Sequence, residues 1–163
     1  MNFLTLEEYG TYALLTIIIN LSDRFINWGF LYGSVHLKQL HENESYFLAS
    51  IFLSKLILFI IFCFSIYTLQ HLSIISIPSE VFFFVFFFSF SSVINFVWHY
   101  QLNQKNKELL FPWIAGYFFI SLYLIFLLAS EEQISLNQFI VISLMPNYIY
   151  FLLLTFKVLR EIN

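Results

Sequence analysis

The sequence predicts an all-α, polytopic membrane protein, and three observations lead to that fold class. Hydrophobic residues make up 60% of the 163 residues, and charged residues make up only 10%, whereas soluble domains carry about 25% charge. The mean hydropathy is +0.82. The apolar residues form continuous runs that are long enough to cross a bilayer, and they do not alternate as the strands of a β-barrel do. We therefore interpret residues 1–163 as a single membrane-embedded helical domain.

Composition also excludes several classes of function. The net charge is −3, so no basic surface is available for nucleic acid. The one cysteine, Cys63, lies within an apolar run, which excludes a disulfide framework and a thiolate metal site. We expect no metal and no cofactor. Residues 1–8 contain two glutamates and no basic residue, so they do not form a cleavable signal peptide.

About five apolar spans are separated by short breaks. The breaks cover residues 38–45, 70–80, 103–108 and 130–135. Loops this short make successive helices antiparallel neighbours. The predicted spans are Tyr9–Leu37, Tyr46–Leu69, Val81–Leu102, Leu109–Ala129 and Leu136–Leu159.

The basic residues outside the spans occur only at alternate breaks and at the C-terminal end. The N-terminal end, the second break and the fourth break hold glutamates but no lysine or arginine. Because cytoplasmic loops carry the excess of basic residues, we expect the N-terminus outside and the C-terminus in the cytoplasm. The basic residues in question are Lys38, Lys105, Lys107, Lys157 and Arg160.

A polar cluster interrupts the middle of the first span. It contains Asn20, Asp23, Arg24 and Asn27, which fall on one face of a helix at about 100° per residue. Each charge near the hydrocarbon midplane costs roughly 2.5–3.5 kcal/mol. The functional interpretation is a wet, charged cavity. The alternative is a buried ion pair with amides that only orients neighbouring helices.

The second span carries Lys55 on an apolar face. At about 1.5 Å per residue, Lys55 lies about 15 Å and Asp23 about 22 Å from the first break. An extended lysine spans that gap, so an ion pair between Asp23 and Lys55 is expected. The alternative is that Lys55 extends toward the inner headgroups.

Polar residues recur along the cytoplasmic half of the third span. A three- and four-residue spacing places them on one helical face. His99, near the inner boundary, is a candidate proton acceptor or a polar residue of the cavity. The stripe contains Ser92, Asn95, His99, Asn103 and Asn106.

The fifth span contains Pro146 near its middle. Proline removes one backbone hydrogen bond and kinks a helix. Ser143 or Asn147 is expected to satisfy the carbonyl that is freed. Pro146 is therefore either a hinge for alternating access or a static kink.

Three short motifs occur in order along the chain. Glu8-Tyr-Gly10-Thr-Tyr12 leads into the first span, Asn27-Trp-Gly29-Phe30 follows its polar cluster, and Val97-Trp98-His-Tyr-Gln101 closes the third span. This pattern resembles the O-antigen flippases (Wzx-type) of the polysaccharide biosynthesis family, which belong to the superfamily of multidrug and lipid-linked oligosaccharide exporters. Trp28 stands where that family usually has Phe, and Asn103 stands near an expected Gly.

The resemblance implies transport of an undecaprenyl-pyrophosphate-linked oligosaccharide from the cytoplasmic to the periplasmic leaflet of a bacterial inner membrane. It also implies an exporter-type lobe, of which this chain corresponds to helices two to six of a dozen or more. Implied partners are the lipid-linked oligosaccharide, membrane lipids and other polysaccharide-assembly membrane proteins. The cationic cavity of such proteins maps to Arg24 and Lys55. The candidate cavity residues are Arg24, Asp23, Lys55, Asn20, Asn27, Asn95 and His99, with Pro146 as the candidate hinge.

Two other functions stay open. One is an integral-membrane enzyme of glycan assembly, a polymerase or an acyltransferase, with His99 or Asp23 as its base. The other is a membrane fragment without activity. No paired carboxylates, metal-ligand cluster or activated nucleophile is visible in the sequence, so we do not expect an enzyme.

Overall fold

A computed structural model describes residues 4–28, 30, 44–129 and 134–162, and within these ranges every regular element is helical. The end of the predicted first span, most of the first break with Lys38, and most of the fourth break lie outside the described residues. The elements are α1 (Leu6–Ile26), α2 (Glu44–His71), α3 (Ser79–Ser89), a 3₁₀ turn (Phe90–Ser92), α4 (Val97–Leu102), a second 3₁₀ turn (Asn106–Leu109), α5 (Leu110–Ala129) and α6 (Leu136–Ile162).

Four stretches of the described chain are long and apolar enough to cross a membrane, which confirms an all-α, polytopic architecture. Their bounds agree with the second to fifth predicted spans within two residues at each end. The four stretches are Ser45–His71, Val81–Gln101, Lys107–Leu127 and Leu136–Arg160.

The predicted first span is not among these four. Its described part, α1, carries Asn20, Asp23 and Arg24 within 21 residues, and these side chains lower its hydropathy below that of the other helices. Even so, Leu15, Ile18 and Ile19 of α1 are buried against the membrane helices. We conclude that packing against the other helices, more than its own hydrophobicity, holds α1 in the bundle.

Reciprocal capping boxes start the first and last helices. The Thr5 backbone N–H donates to Glu8 Oε2 at 2.8 Å, and the Glu8 N–H donates to Thr5 Oγ1 at 3.2 Å. These bonds from Thr5 hold the pKa of Glu8 below its ordinary value. At α6, Ser135 and Gln138 exchange the same pair of bonds at 2.8 and 3.3 Å. Each box satisfies backbone donors that a helix start leaves unpaired.

The third span is not one continuous helix, which corrects the prediction of a single polar stripe. After α3 the chain tightens into the 3₁₀ turn and then leaves helical hydrogen bonding until α4 begins at Val97. We call residues 90–96 the break. Since Ser92 and Asn95 lie in the break while His99 lies on α4, the predicted stripe does not form one helical face.

The buried apolar residues form two clusters, which we call the upper and the lower cluster. The upper cluster holds residues of α1, the second half of α2, the chain from Ile77 through α3, and the start of α6. The lower cluster holds residues of the first half of α2, the chain from Phe96 to Tyr100, and the end of α6. The upper cluster is Leu15, Ile18, Ile19, Phe62, Ile66, Ile77, Val81, Val85, Phe88 and Ile140. The lower cluster is Phe47, Leu48, Ile51, Phe96, Trp98, Tyr100, Leu154 and Val158.

Helix α5 lies at the edge of the bundle and is mostly exposed. It packs against α6 at Gly116, where a Cβ atom would lie 2.6 Å from the backbone oxygen of Pro146. Only a residue without a side chain allows the two backbones this close.

Candidate functional site

Polar side chains collect where the two apolar clusters meet. Three elements contribute them: the end of α1, the break in the third span, and the middle of α6, with one lysine from α2. We call this set the polar layer. Its members are Asn20, Asp23, Asn27, Lys55, Ser91, Ser92, Asn95, Asn147 and Thr155.

Lys55 is fully buried in the polar layer, with 0% of its surface exposed. Its ammonium donates a hydrogen bond to the backbone carbonyl oxygen of Asn95 at 2.7 Å. The same nitrogen lies 5.8 Å from the ring centroids of both Phe30 and Phe96, within the range of a cation–π interaction. Lys55 therefore points into the bundle toward the break, which rules out the alternative in which it extends to the headgroups.

The structure does not form the expected ion pair between Asp23 and Lys55. Asp23 Oδ1 instead accepts a hydrogen bond from Asn27 Nδ2 at 2.7 Å, one helical turn along α1. The two charges attract each other only over a longer distance. The physical reason is that the break leaves the Asn95 carbonyl without its helical N–H donor, and this carbonyl lies within hydrogen-bond reach of the Lys55 ammonium.

The hydrogen bonds around the break explain why it needs these side chains. In a continuous helix the Asn95 carbonyl would accept from the His99 N–H, but that N–H donates to Phe96 at 2.9 Å. The Lys55 ammonium takes the place of that N–H as the donor to the Asn95 carbonyl. The neighbouring Ile94 carbonyl lies 3.0 Å from Thr155 Oγ1 of α6, whose one hydroxyl proton is shared with the Phe151 carbonyl of the same helix at 2.9 Å. Non-helical backbone at membrane depth is tolerated only where other groups satisfy it in this way.

Asn95 contributes to the break through its side chain as well. Its Oδ1 accepts from the Val97 N–H at 3.2 Å, and this bond helps to start α4 by satisfying an N-terminal donor. The predicted cavity residue Asn95 thus has a local backbone role. It does not line the cavity that the polar layer surrounds.

That cavity lies between α1, the end of α3 with the break, and α6, and has a volume of about 180 Å³. Among the described residues that line it, Asp23 is the one charged side chain. Its polar lining residues are Asn20, Asp23, Ser91, Ser92 and Asn147, and its apolar ones are Ile19, Phe88, Leu144 and Phe151.

Arg24 is exposed and is not among the residues that line this cavity. Adjacent positions on a helix point about 100° apart, so Asp23 turns inward and Arg24 turns outward. Within the described ranges, Arg24 pairs with no carboxylate. The predicted cationic cavity therefore separates into an acidic cavity and an arginine on the neighbouring surface of α1.

His99 is buried on α4 and is not among the cavity-lining residues. Its Nε2 lies 3.3 Å from Asn103 Nδ2. Its ring meets those of Trp98 and Tyr100 edge-on. His99 thus packs against two aromatic members of the lower cluster.

Pro146 is buried within α6, which continues as a helix on both sides of it. The Ser143 hydroxyl donates to the carbonyls of Phe139 and Ile140 at 2.9 and 3.0 Å. The expectation that Ser143 satisfies the carbonyl freed by the proline, that of Ile142, is therefore wrong. Asn147, the other candidate, lines the cavity.

Sequence reasoning missed Ser91 and Thr155 as members of the polar layer. Thr155 interrupts the apolar run 151–156 and is its one hydroxyl residue, which is a usable signal. Ser91 stands in Ser89-Phe-Ser-Ser-Val-Ile-Asn95, a serine-rich segment within a span of phenylalanines. Small polar residues that cluster at mid-span were the local sign of the break.

The described residues hold no group of three or more His, Cys, Asp or Glu side chains that could ligate a metal together. What they do offer is a small acidic cavity of oxygen and amide groups, next to a helix interrupted at membrane depth. No protein-family model, curated protein or solved structure matches the chain.

Proposed function

We propose that this protein works in the translocation of lipid-linked polysaccharide repeat units across a bacterial inner membrane. The observation that carries the proposal is the interruption of the third span at residues 90–96, with the polar layer packed against it. Interrupted helices near the middle of a membrane are a common feature of transporter binding sites. The resemblance of the sequence motifs to O-antigen flippases supports the choice of substrate.

Arg24 is the residue we assign to the pyrophosphate of the substrate. It is exposed on α1, so a lipid-linked molecule in the bilayer can reach it from the side. A cation at membrane depth is tolerated when water solvates it or an anion pairs with it. The planar guanidinium donates two parallel hydrogen bonds to a phosphate, which lysine does not reproduce.

The size of the acidic cavity supports a substrate site on the surface of α1. A volume of about 180 Å³ holds no more than a few water molecules at about 30 Å³ each, which is too small for an oligosaccharide. The negative Asp23 would also repel a pyrophosphate. The proposal therefore places the headgroup at the Arg24 surface, outside the cavity.

The proposal includes an orientation in which the N-terminus is periplasmic and the C-terminus is cytoplasmic. Its support is the alternation of basic and acidic breaks along the chain. Lys107 at the start of the third stretch and Lys157 near the C-terminus lie at the end that we assign to the cytoplasm.

The test is deletion of the gene in its own host, followed by complementation with single variants. We expect deletion to reduce surface glycan and to accumulate its lipid-linked precursor. Arg24→Ala should fail to restore export although the protein inserts normally, and Arg24→Lys should restore part of it. Arg160→Ala is the matched control, because Arg160 is an exposed arginine on α6 away from the polar layer.

Surface glycan and protein abundance must be measured in the same cells. Normal export by Arg24→Ala at normal abundance would contradict the assignment of Arg24. Unchanged surface glycan and precursor levels in the deletion strain would contradict the function as a whole.

A further inference from the structure

We propose that the exposed face of α5 that carries Trp113, Tyr117 and Ser121 binds the same face of a second copy of this chain in the membrane. We call these three residues the α5 stripe. The inference stands on α5 alone and does not depend on which molecule the protein transports. It assigns a partner to the least buried of the four described spans.

The α5 stripe points away from the rest of the described chain. Its residues recur every four positions, which places them on one face of a helix. Trp113 and Tyr117 are 49% and 41% exposed, and Ser121 is exposed as well. Gly116, by contrast, faces the backbone of Pro146 in α6, the helix against which α5 packs. The stripe therefore lies on a side of α5 that no described part of the chain covers.

Tyr117 is the key residue of the stripe because of its depth. It lies ten residues from each end of the span Lys107–Leu127, which is about 15 Å at 1.5 Å per residue. Its ring contacts that of Trp113, with the centroids 4.9 Å apart, and within the described chain its hydroxyl has no hydrogen-bond partner. Because water is absent from the hydrocarbon core, such a hydroxyl is costly there. A second molecule in the membrane is needed to supply its partner.

The other exposed tyrosines lie at a different depth. Tyr9, Tyr46, Tyr67 and Tyr123 are exposed, and each lies within four residues of an end of its helix or span. Tyrosines at such positions reach the headgroup level, where their hydroxyls meet water and lipid headgroups. Tyr117 does not have this outlet, so its exposure needs a different explanation.

A second copy is the partner that the chemistry of this face fits. A hydroxyl both donates and accepts, so Tyr117 can pair with the same hydroxyl of a copy related by a two-fold axis along the membrane normal, which lies at the same depth. Ser121 already donates to the Tyr117 carbonyl at 2.8 Å. As a small residue it also lets two helices approach closely. Residues 110–129 contain no charged side chain, so the pairing brings no like charges together in the hydrocarbon.

Cysteine cross-linking of the full chain in membranes tests the geometry. In a Cys63→Ala background, we expect Trp113→Cys, Tyr117→Cys and Ser121→Cys to form disulfide-linked dimers on mild oxidation. Phe119→Cys is the matched control. Phe119 is 61% exposed at nearly the same depth, but it lies about 200° around the helix from Tyr117, so we expect little dimer. The two outer stripe positions keep the test decisive if loss of the tyrosine hydroxyl weakens the dimer.

Association in lipid vesicles tests the role of the hydroxyl. Full-length chains that carry donor or acceptor dyes are reconstituted in vesicles of phosphatidylcholine and phosphatidylglycerol, and energy transfer is followed as the protein is diluted with lipid. We expect Tyr117→Phe to weaken association about threefold to tenfold, the range for one hydrogen bond between membrane helices. Tyr123→Phe is the control, because it removes an exposed hydroxyl near the end of the span. We expect it to associate as the wild type does.

Four outcomes would overturn the proposal. The first is an equal yield of dimer at Phe119→Cys and at the three stripe positions, which would reflect random collision. The second is energy transfer in the wild type no greater than that of unassociated molecules. The third is wild-type association of Tyr117→Phe. The fourth is cross-linking of the stripe to a different membrane protein of the host without any homodimer. None of these measurements involves glycan export, so they fail or succeed independently of the proposed function.

Discussion

The Lys55 ammonium takes the place of a backbone N–H that the break removes from the third span. It is buried, it donates to the Asn95 carbonyl at 2.7 Å, and it lies near two phenylalanine rings. A lysine in this setting is a substitute hydrogen-bond donor on a long, flexible stem. At the scale of single residues, side chains of the polar layer therefore satisfy backbone that has left helical hydrogen bonding.

This role of Lys55 makes a prediction about local stability. Lys55→Met removes the donor and leaves the Asn95 carbonyl unsatisfied, at a cost of about 1–3 kcal/mol. Loss of the buried charge offsets part of that cost globally, so the clearest effect should be local. We expect backbone amides from Val93 to Val97 to exchange hydrogen about fivefold faster or more, since about 1 kcal/mol corresponds to that factor.

Hydrogen exchange followed by mass spectrometry measures this effect. Ser54→Ala, an exposed neighbour on α2, is the matched control and should leave exchange at the break unchanged. Asp23→Asn should also leave it unchanged, because the Asp23 carboxylate does not contact the Lys55 ammonium. If Asp23→Asn accelerates exchange as much as Lys55→Met does, the assigned partner of Lys55 is wrong.

At the scale of elements, α5 packs closely against α6. Gly116 faces the Pro146 carbonyl, which would lie 2.6 Å from an added Cβ. Pro146 also removes one hydrogen bond within α6, and α6 supplies Asn147 to the cavity and Thr155 to the break. The contact with α5 therefore affects the geometry of α6, the helix that contributes Asn147 and Thr155 to the polar layer.

We predict that Gly116→Ala destabilises the protein by about 1–3 kcal/mol, as overpacking of a close contact does. The obstacle is backbone, which cannot move aside as the end of a side chain can. Gly10→Ala is the matched control: it lies in α1 with nothing within 4 Å of an added Cβ, so we expect it to be neutral or stabilising. Thermal unfolding in one detergent compares them, and equal effects at the two glycines would contradict the close contact.

At the scale of the whole molecule, α1, α2, the third span and α6 surround a polar layer between two apolar clusters, and α5 packs against α6 at the edge of the bundle. This arrangement leaves α5 largely open to lipid. It also places the segment 72–78 and the segment 103–106 at opposite ends of the third span. The orientation of the third span in the membrane therefore determines on which side the other loops and the termini lie.

The proposed orientation predicts opposite labelling of two single cysteines. In a Cys63→Ala background, Ile74→Cys should react with an impermeant thiol reagent in spheroplasts, whereas Lys107→Cys should react only after the membrane is opened. Both parent residues are exposed, so access to the thiol depends on the side of the membrane. Labelling of Lys107→Cys from outside would reverse the orientation.

Continuous apolar runs alone determined the four spans and their bounds. Their ends agree with the structure within two residues, because the length of hydrocarbon to be crossed and the cost of unpaired backbone leave few alternatives. The polar cluster Asn20 to Asn27 was equally visible, since polar side chains are rare in such a segment. These features depend only on local composition.

Only the tertiary structure decided where the third span breaks and which groups meet there. The break contains no proline or glycine, and Lys55 and Thr155, from two other helices, contact the carbonyls of Asn95 and Ile94 there. Likewise, Asp23 turned inward to a cavity and Arg24 outward because of how α1 packs. Contacts between distant segments depend on packing geometry, which no local pattern in the sequence records.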